Sequence, residues 1–305
     1  MYYFIVNPKS KSSKGRDIWS DIHSELEMRQ FSYKVFFTQY RGHAEKLATQ
    51  ITEAHPDCTL VGVGGDGTIH ELLSGIRNVT TITFGYIPTG SGNDFARGMG
   101  ISADTLTALR HILEPKQFRQ MDLGIVTRGT KKSRFGVSTG IGFDAGICHE
   151  ALASNIKKML NKIGLGSLTY ALIAAKQIFL YEPCPMTIRM DGNRRIALNR
   201  SYFAAVMNQP FEGGGLKLCP GAKNDDKYLN VCLVGDMPRF KILFLLPTAF
   251  WGKHTHLKGV HMLRCKSISI HMGKEKPVHL DGESGGIHQN LSASIEPDSL
   301  RVIVN

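Results

Sequence analysis

The chain has 305 residues, of which 42% are hydrophobic, and a formal net charge of +11. This length exceeds what one hydrophobic core usually supports and predicts about two domains. The longest uncharged apolar stretch, between Lys241 and Lys253, contains Pro247 and falls short of the roughly 18 residues of a spanning helix, and lysines follow the first apolar run, which is not the order of a signal peptide. We therefore expect a soluble, cytoplasmic protein.

The basic excess lies in the second part of the chain. Residues 1–127 contain 13 Lys or Arg and 13 Asp or Glu, whereas residues 128–305 contain 24 and 13. This asymmetry predicts that the C-terminal part meets an anionic partner. No nucleic-acid-binding motif accompanies the charge, so we favour peripheral contact with the inner membrane face, with no nucleic acid bound. A solvated basic surface is the alternative.

Predicted strands and helices alternate in the first part. The strands are Tyr2–Val6, Phe31–Thr38, Thr59–Val63 and Thr81–Ile87, and helical spacing of apolar residues follows each of them. This alternation predicts a parallel sheet with helices on both faces, a Rossmann-like domain that we assign to residues 1–127.

A glycine-rich turn, Gly64 to Gly67, separates the third strand from its helix. Thr68 and Glu71 have the spacing of a capping box, which predicts a helix start at Thr68. Backbone amides in such a turn can bind an anion, so the turn is a candidate phosphate site. A tight turn that needs glycine for its backbone angles alone is the alternative.

A second glycine-rich turn follows the fourth strand and contains Gly90, Ser91 and Gly92 before Asp94. The carboxyl ends of parallel strands meet at one crevice, so Asp66 and Asp94 should both reach it. Two carboxylates beside a phosphate site favour a divalent cation between them. The pair of turns therefore predicts a nucleotide bound with Mg²⁺.

The second part has a different pattern. After a helical region from Ala151 to Leu180, short alternating runs are separated by Gly, Asp, Asn or Pro. Seven such runs, MTIRM, RIALN, YFAAVMN, LNVCLVG, SISIHM, PVHL and SIEPDSLRVIVN, predict a β-sandwich-like domain over residues 128–305.

Two further segments of the second part carry candidate functional residues. A carboxylate after Val278–Leu280 could act as a base, although Asp-Gly at 281 and 282 equally predicts a plain hairpin turn. Lys253 and Lys258 stand near apolar Trp251 and Leu257, which suggests an edge that meets lipid headgroups.

Five motifs stand in one characteristic order along the chain. They are GGDGT at 64–68, PTGSGNDFARG at 88–98, GIGFDAG at 140–146, GKH at 252–254 and DGE at 281–283. In order and spacing they resemble the bacterial soluble diacylglycerol kinases and their lipid kinase relatives, which include the sphingosine kinases. GGDGT alone would also fit NAD kinase or phosphofructokinase, whereas the combination is much more specific.

The resemblance implies a nucleotide site and a catalytic centre. The ATP-binding positions correspond to Asn7, Pro8, Lys9, Ser10, Lys11, Thr38, Gly64, Gly65, Asp66, Gly67, Thr68 and Ser91. Asp66 and Asp94 match acidic positions that organise the catalytic Mg²⁺, Glu283 matches the proton acceptor, and Asp281 is its close neighbour in the site.

The resemblance also implies a structural Mg²⁺. Its ligands correspond to the Asp226 side chain and to the backbone carbonyls of Lys223 and Tyr228. Lys227 stands where the family commonly has glycine, so the backbone ligands could be displaced and this metal is an open question.

The resulting hypothesis is an ATP- and Mg²⁺-dependent lipid kinase that phosphorylates a lipid hydroxyl, with diacylglycerol as the preferred acceptor and phosphatidic acid as the product. One alternative is a kinase of phosphatidylglycerol, a monoacylglycerol or a sphingoid base. Another is a catalytically silent lipid-binding regulator. The sequence leaves the oligomeric state open, with a homodimer as one alternative.

Overall fold

The structure is a computed structural model that describes residues 1–10, 15–153, 176 and 178–305. It contains two compact units. The first comprises Met1–Leu123, Asn224–Asp226 and Glu296–Asn305, and the second comprises Gly124–Lys223 and Lys227–Ile295. Two segments from beyond residue 127 thus belong to the first unit, and the division of the sequence between 127 and 128 stays a prediction.

The first unit is built on a parallel sheet. Its strands are β1 (Tyr2–Val6), β2 (Tyr33–Phe37), β3 (Thr59–Gly64) and β4 (Thr83–Pro88), in the spatial order β2-β1-β3-β4. Arg301 and Val302, near the C-terminus, pair in parallel with β4. The central strands are almost continuously buried, as expected for a parallel sheet covered on both faces.

The described residues of this unit form the helices α1 (Gly15–Met28), α2 (His43–Ala54), α3 (Asp66–Gly75), α4 (Asp94–Met99) and α5 (Thr105–Leu113). In α1 the buried side chains Trp19, Ile22 and Leu26 recur at three- and four-residue spacing, and α2 buries Leu47 and Ile51 in the same way. The Rossmann-like prediction is confirmed.

The predicted capping box at the start of α3 is wrong. The helix begins at Asp66, two residues before Thr68, and its N-cap is Gly65. The Thr68 hydroxyl instead accepts a hydrogen bond from the Asn7 side chain at 3.0 Å. The Glu71 carboxylate accepts from the backbone amides of Gly42 and Ala44 at 2.7 and 3.1 Å. Glu71 therefore caps the N-terminus of α2, because tertiary contact offers it stronger partners than its own helix.

The second unit is dominated by antiparallel strands. They are β5 (Phe118–Arg128), which starts in the first unit, β6 (Lys131–Phe135), β7 (Ser138–Gly142), β8 (Cys184–Met190), β9 (Arg194–Met207), β10 (Leu229–Gly235), β11 (Val260–Cys265), β12 (Ser267–Leu280) and β13 (Glu283–Ile303), which ends in the first unit. Its helical elements include α6 (Phe143–Ala153), α7 (Arg239–Phe250) and a 3-10 turn at Lys253–His256.

Two long strands give the second unit its layers. Strands β9 and β12 pair with β8 over their first halves and with β7 over their last residues. Apolar side chains from both sets of pairings, including Ile188, Val206, Ile270 and Leu291, fill one buried core. The β-sandwich prediction is confirmed.

The number of predicted strands in this unit needs correction. RIALN and YFAAVMN form the single strand β9, and SISIHM and PVHL form the single strand β12. Charged and turn-type residues interrupt the hydrophobic pattern of these strands, and in β12 the register with β13 shifts between His271 and Lys276, but the strand continues. The predicted helical region Ala151–Leu180 lies mostly outside the described residues. Within the described ranges, no helix is long and apolar enough to cross a membrane.

Candidate active site

Three loops of the first unit follow neighbouring strands at the same edge of the parallel sheet. Val6 at the end of β1 pairs with Val63 of β3, and Gly64 pairs with Pro88 at the end of β4. The loops that leave these strands therefore start side by side, which is where open α/β sheets bind ligands.

Hydrogen bonds join the three loops. Asn7 Nδ2 donates to Thr68 Oγ1 at 3.0 Å, which ties the loop after β1 to α3. Thr89, in the loop after β4, joins that loop to the other two. Its hydroxyl donates to Ser10 Oγ at 2.8 Å, and its amide donates to the Gly64 carbonyl at 2.7 Å. The predicted nucleotide-binding residues Asn7, Ser10, Gly64 and Thr68 are thus brought together.

The two glycine-rich turns touch backbone to backbone. A Cβ added at Gly90 would lie 2.8 Å from Gly65 Cα and 2.7 Å from Asn93 Oδ1. A Cβ added at Gly64 would lie 2.5 Å from the Thr68 side chain. Neither Gly64 nor Gly90 has a positive φ angle. Glycine is required at both positions because neighbouring atoms lie too close to leave room for a side chain. The contact leaves backbone rather than side chains around the start of α3.

Asp66 and Asp94 are the first residues of α3 and α4. The Phe95 amide donates to Asp66 Oδ1 at 3.4 Å, so the start of α4 reaches the Asp66 carboxylate. Burial raises the pKa of Tyr86 well above its ordinary value, and the negative charges of Asp66 and Asp94 raise it further. Both carboxylates are thus close enough to one buried phenol to influence its ionisation.

Arg97 forms an ion pair that was not predicted from the sequence. Its guanidinium forms an ion pair with the Asp94 carboxylate. Part of the negative charge at this edge is therefore compensated by the protein itself, whereas the sequence argument assigned that compensation to a cation.

The remaining predicted residues of the first unit surround this edge. Thr38 is half-buried at the end of β2, and its amide donates to the Val6 carbonyl at 2.9 Å. Pro8 and Gly67 are half-buried, while Lys9 and Ser91 are exposed. The predicted contact at Lys11 lies outside the described residues.

The DGE motif of the second unit is a two-residue hairpin. Strand β12 ends at Leu280, which pairs with Glu283 at the start of β13. Asp281 and Gly282 have φ angles of 48° and 81°, the left-handed backbone of a type I′ turn. The turn places Glu283 at a half-buried strand terminus.

Asp281 anchors this hairpin. Its carboxylate accepts from the backbone amides of Gly136, Val137 and Ser138 at 3.1, 2.7 and 3.0 Å. The residue is only 7% exposed. Charged hydrogen bonds of this kind are stronger than neutral ones. Asp281 therefore holds the turn against the start of β7, which suits a positioning residue better than a proton acceptor.

A buried charged cluster lies under the same hairpin. His279 Nε2 lies 2.9 Å from Asp144 Oδ2 and 3.1 Å from Glu212 Oε1. Burial disfavours the charged imidazole, but the negative charges of Glu212 and Asp144 outweigh that effect and raise the pKa of His279 to about 9. His279 is therefore protonated at neutral pH and partly compensates the charges of buried Glu212 and half-buried Asp144.

The GIGFDAG motif is shaped to fit this cluster. A Cβ on Gly140 would lie 2.5 Å from His279 Nε2 and 2.9 Å from Asp144 Oδ2. Asp144 stands at the start of α6, which follows β7 directly. Sequence reasoning listed this motif without a role for Asp144, and it missed His279, Glu212 and Thr89. Thr89 lies within the motif at 88–98, which could have indicated it, whereas for Glu212 the sequence carries no distinguishing signal.

The predicted structural-metal ligands are divided between the units. Asp226 belongs to the first, and Lys223 and Tyr228 belong to the second. Lys227 has a φ angle of 59°, so a lysine occupies the left-handed backbone conformation that favours glycine. The metal itself stays a prediction.

The sequence matches two family models that together span most of the chain. The diacylglycerol kinase catalytic domain matches residues 1–126, and the YegS C-terminal NAD kinase beta sandwich-like domain matches residues 139–304. The putative lipid kinase YtlR of Bacillus subtilis is 32% identical over 307 residues, which cover 99% of this chain and 98% of that protein. The chain belongs to the diacylglycerol kinase and lipid kinase family.

A further relative agrees with this assignment, and two solved structures share the fold. A diacylglycerol kinase of Staphylococcus saprophyticus is 26% identical and covers 92% of this chain and 88% of its own. A solved putative diacylglycerol kinase from Bacillus anthracis shares the fold, with a TM-score of 0.78 at 22% identity over 100% of this chain and 95% of that one. A yeast NADH kinase shares it more distantly, at a TM-score of 0.54 and 10% identity over 100% of this chain and 83% of that one.

This protein is therefore a lipid kinase enzyme, a phosphotransferase whose family implies ATP use.

Proposed function

We propose that this lipid kinase transfers the γ-phosphoryl group of ATP to the free hydroxyl of diacylglycerol and releases phosphatidic acid. The observation that carries the proposal is the contact between the two glycine turns at Gly65 and Gly90, with Asp66 and Asp94 at the helix starts that follow. The name of the diacylglycerol kinase from Staphylococcus saprophyticus supports this acceptor.

The backbone of the glycine turns fits an anionic ligand. Gly64, Gly65 and Gly90 keep side chains away from the start of α3, where amides and the helix dipole favour negative charge. Asn7 and Thr89 fix the neighbouring loops by the hydrogen bonds given above. These residues would orient the phosphates without moving, which lowers the entropic part of the barrier.

The carboxylates Asp66 and Asp94 fit a hard cation, because oxygen donors are what Mg²⁺ prefers. Bound there, Mg²⁺ would neutralise phosphate charge. Arg97 compensates part of the same negative charge on Asp94 and holds that side chain at the start of α4.

In the second unit Glu283 would take the proton of the attacking lipid hydroxyl. A strand terminus next to a type I′ turn holds this carboxylate at a defined place. Asp281 fixes the turn through three backbone amides, and His279 partly compensates the charges of Asp144 and Glu212 next to it. A positioned base of this kind contributes about 10²- to 10⁴-fold to a rate.

The deciding experiment is phosphate transfer from γ-labelled ATP and Mg²⁺ to separate lipids in anionic mixed micelles. The acceptors are diacylglycerol, phosphatidylglycerol, monoacylglycerol and sphingosine, with NAD as the soluble control. Label in phosphatidic acid supports the proposal. Label only in another lipid keeps the reaction and replaces the acceptor, and label in no lipid while ATP still binds favours a silent regulator.

Substitutions connect the reaction to the carboxylates. Asp66→Asn and Glu283→Gln should each lower kcat by at least about 10²-fold. The exposed residues Asp21 and Glu275 provide matched controls, Asp21→Asn and Glu275→Gln, on the same units. If Glu283→Gln retains wild-type kcat, Glu283 is not the base.

A further inference from the structure

Helix α7 and the residues after it expose an apolar surface that folding does not explain. Phe240 and Phe244 are 59% and 68% exposed on α7, and Trp251 just beyond it is 70% exposed. Phe250 and Leu257 are exposed beside them. We call these five side chains the aromatic face.

The opposite side of α7 already supplies the packing that the helix needs. Ile242, Leu245 and Ala249 are fully buried in a core cluster. A helix on a protein surface normally carries polar residues on its outer side. In α7 the outer positions Phe240 and Phe244, four residues apart, are aromatic instead.

A second exposed apolar pair adjoins the aromatic face. Phe179 and Leu180 are also largely exposed, and the Phe179 carbonyl accepts a hydrogen bond from Arg239 Nη1 at 3.4 Å. The first residue of α7 is thus attached to this pair. A cluster of this kind on a soluble surface marks an interaction site.

The chain segment that carries the aromatic face is basic, although the Glu182 carboxylate lies close enough to Arg239 for their charges to interact. Seven lysine or arginine residues and no aspartate or glutamate lie between Asp236 and Glu275. Of these, Arg239, Lys241, Lys253 and Lys258 are exposed on or directly after α7. Exposed aromatic side chains with lysine and arginine close to them in the chain complement a surface with an apolar interior and anionic headgroups.

We propose that the aromatic face is the surface by which this enzyme docks on an anionic lipid bilayer, with Phe244 and Trp251 inserted at the headgroup level and the surrounding lysines against the lipid phosphates. The inference rests on the proposed function only in that the acceptor is a bilayer lipid. Neither the aromatic side chains nor the basic ones would suffice alone, because stable peripheral binding generally needs apolar and electrostatic contributions together.

The chain offers a spectroscopic probe of this docking. Its tryptophans are Trp19, which is 9% exposed, and Trp251, which is 70% exposed. Emission of the wild-type protein should shift to shorter wavelength when vesicles of phosphatidylcholine and phosphatidylglycerol are added. The shift should disappear in Trp251→Phe, which keeps an aromatic ring and should keep the binding. Binding of the wild type without any shift would overturn the proposal.

Vesicle sedimentation without ATP tests the face separately from catalysis. The double variant Phe244→Ser and Trp251→Ser should bind at least about tenfold more weakly than the wild type. Lys253→Gln with Lys258→Gln should lose about as much and should bind with a weaker salt dependence. Ile287→Ser is the matched control, because Ile287 is 62% exposed in the same unit but away from α7 in sequence. Equal binding by the aromatic variant and the wild type would overturn the proposal.

A kinase assay separates failure of docking from failure of the proposed function. The aromatic variant should phosphorylate a short-chain diacylglycerol dispersed as monomers at the wild-type rate, and it should lose at least about tenfold in rate on the same lipid class in vesicles. Wild-type docking through this face without any lipid phosphorylation would refute only the proposed function. A wild-type dimer in sedimentation velocity that dissociates in the aromatic variant would show instead that a second copy covers the face, and would overturn the docking proposal.

Discussion

His279 Nε2 lies 2.9 Å from Asp144 Oδ2, which joins the strand that leads into the DGE turn to the start of α6. Glu212 approaches the same imidazole nitrogen at 3.1 Å. His279 and Glu212 are buried and Asp144 is half-buried, and burying ionisable groups is unfavourable unless their charges compensate one another. Here one positive charge lies between two negative ones, so the protonation state of His279 determines how stable this cluster of three side chains is.

The first prediction is that stability falls as pH rises through the range in which His279 loses its proton. Its folded-state pKa of about 9 lies above the ordinary value of 6.5. The contribution is therefore complete below about pH 6.5, declines between there and about pH 9, and is lost above it. Its full size is about 3 kcal/mol.

Urea unfolding at a series of pH values measures this effect. His279→Gln should lower the free energy of unfolding at pH 6 and flatten its slope between pH 6.5 and 9. His256→Gln, at an exposed position, should leave the slope unchanged. The titratable groups around the imidazole are Asp144, Glu212, the Cys148 thiol within 4.8 Å and, farther along the turn, Asp281. A slope that survives in His279→Gln would show that another group titrates.

The second prediction separates anchoring from catalysis in the DGE turn. Asp281→Ala leaves three buried amides without their acceptor and should lower the free energy of unfolding by about 2–4 kcal/mol. Glu283→Gln should leave stability within about 0.5 kcal/mol and remove the proton acceptor. Thermal unfolding together with kcat measures both. Wild-type stability in Asp281→Ala, or severe destabilisation in Glu283→Gln, would reverse the two roles.

The sequence sufficed for the parallel sheet, because long apolar strands and helical spacing are local signals. It also placed the glycine turns, since Gly64 and Gly90 are required by contacts at strand ends that every parallel sheet brings together. Prediction from the sequence failed where the hydrogen-bond partners of a side chain lie far away in the chain. Glu71 has the spacing of a capping box and yet binds the amides of Gly42 and Ala44.

The same limit applies to the second unit. The sequence predicts a hairpin turn at Asp281, and the structure has one there. The contacts of Asp281 with residues 136–138, however, depend on the pairing of β7 with β12. His279 and Glu212 stand far apart in sequence and carry no motif that connects them. Their ion pair is a product of the sandwich, so only the folded chain shows it.

The third prediction follows from the contact between Glu71 and α2. Glu71→Ala should lower the free energy of unfolding by about 1–2 kcal/mol. A carboxylate at a helix N-terminus accepts hydrogen bonds from the free amides and is attracted by the positive end of the helix dipole. Glu53 is the matched control, since its ion pair with Arg77 is largely exposed and should be worth less than about 1 kcal/mol. Chemical unfolding measures both variants. Equal losses in Glu71→Ala and Glu53→Gln would contradict the capping role.

The fourth prediction concerns the contact between the glycine turns. In Gly90→Ala the added methyl group meets Gly65 Cα at 2.8 Å and Asn93 Oδ1 at 2.7 Å, so the backbone of one turn must shift. Overpacking of this kind costs about 1–3 kcal/mol, and displacement of the start of α3 should weaken ATP binding at least about tenfold. Gly221→Ala is the control, because a Cβ there meets nothing within 4 Å. Calorimetric ATP titration and thermal unfolding measure the two effects. A variant that is destabilised but binds ATP like the wild type would show that the turns support the fold without shaping the nucleotide site.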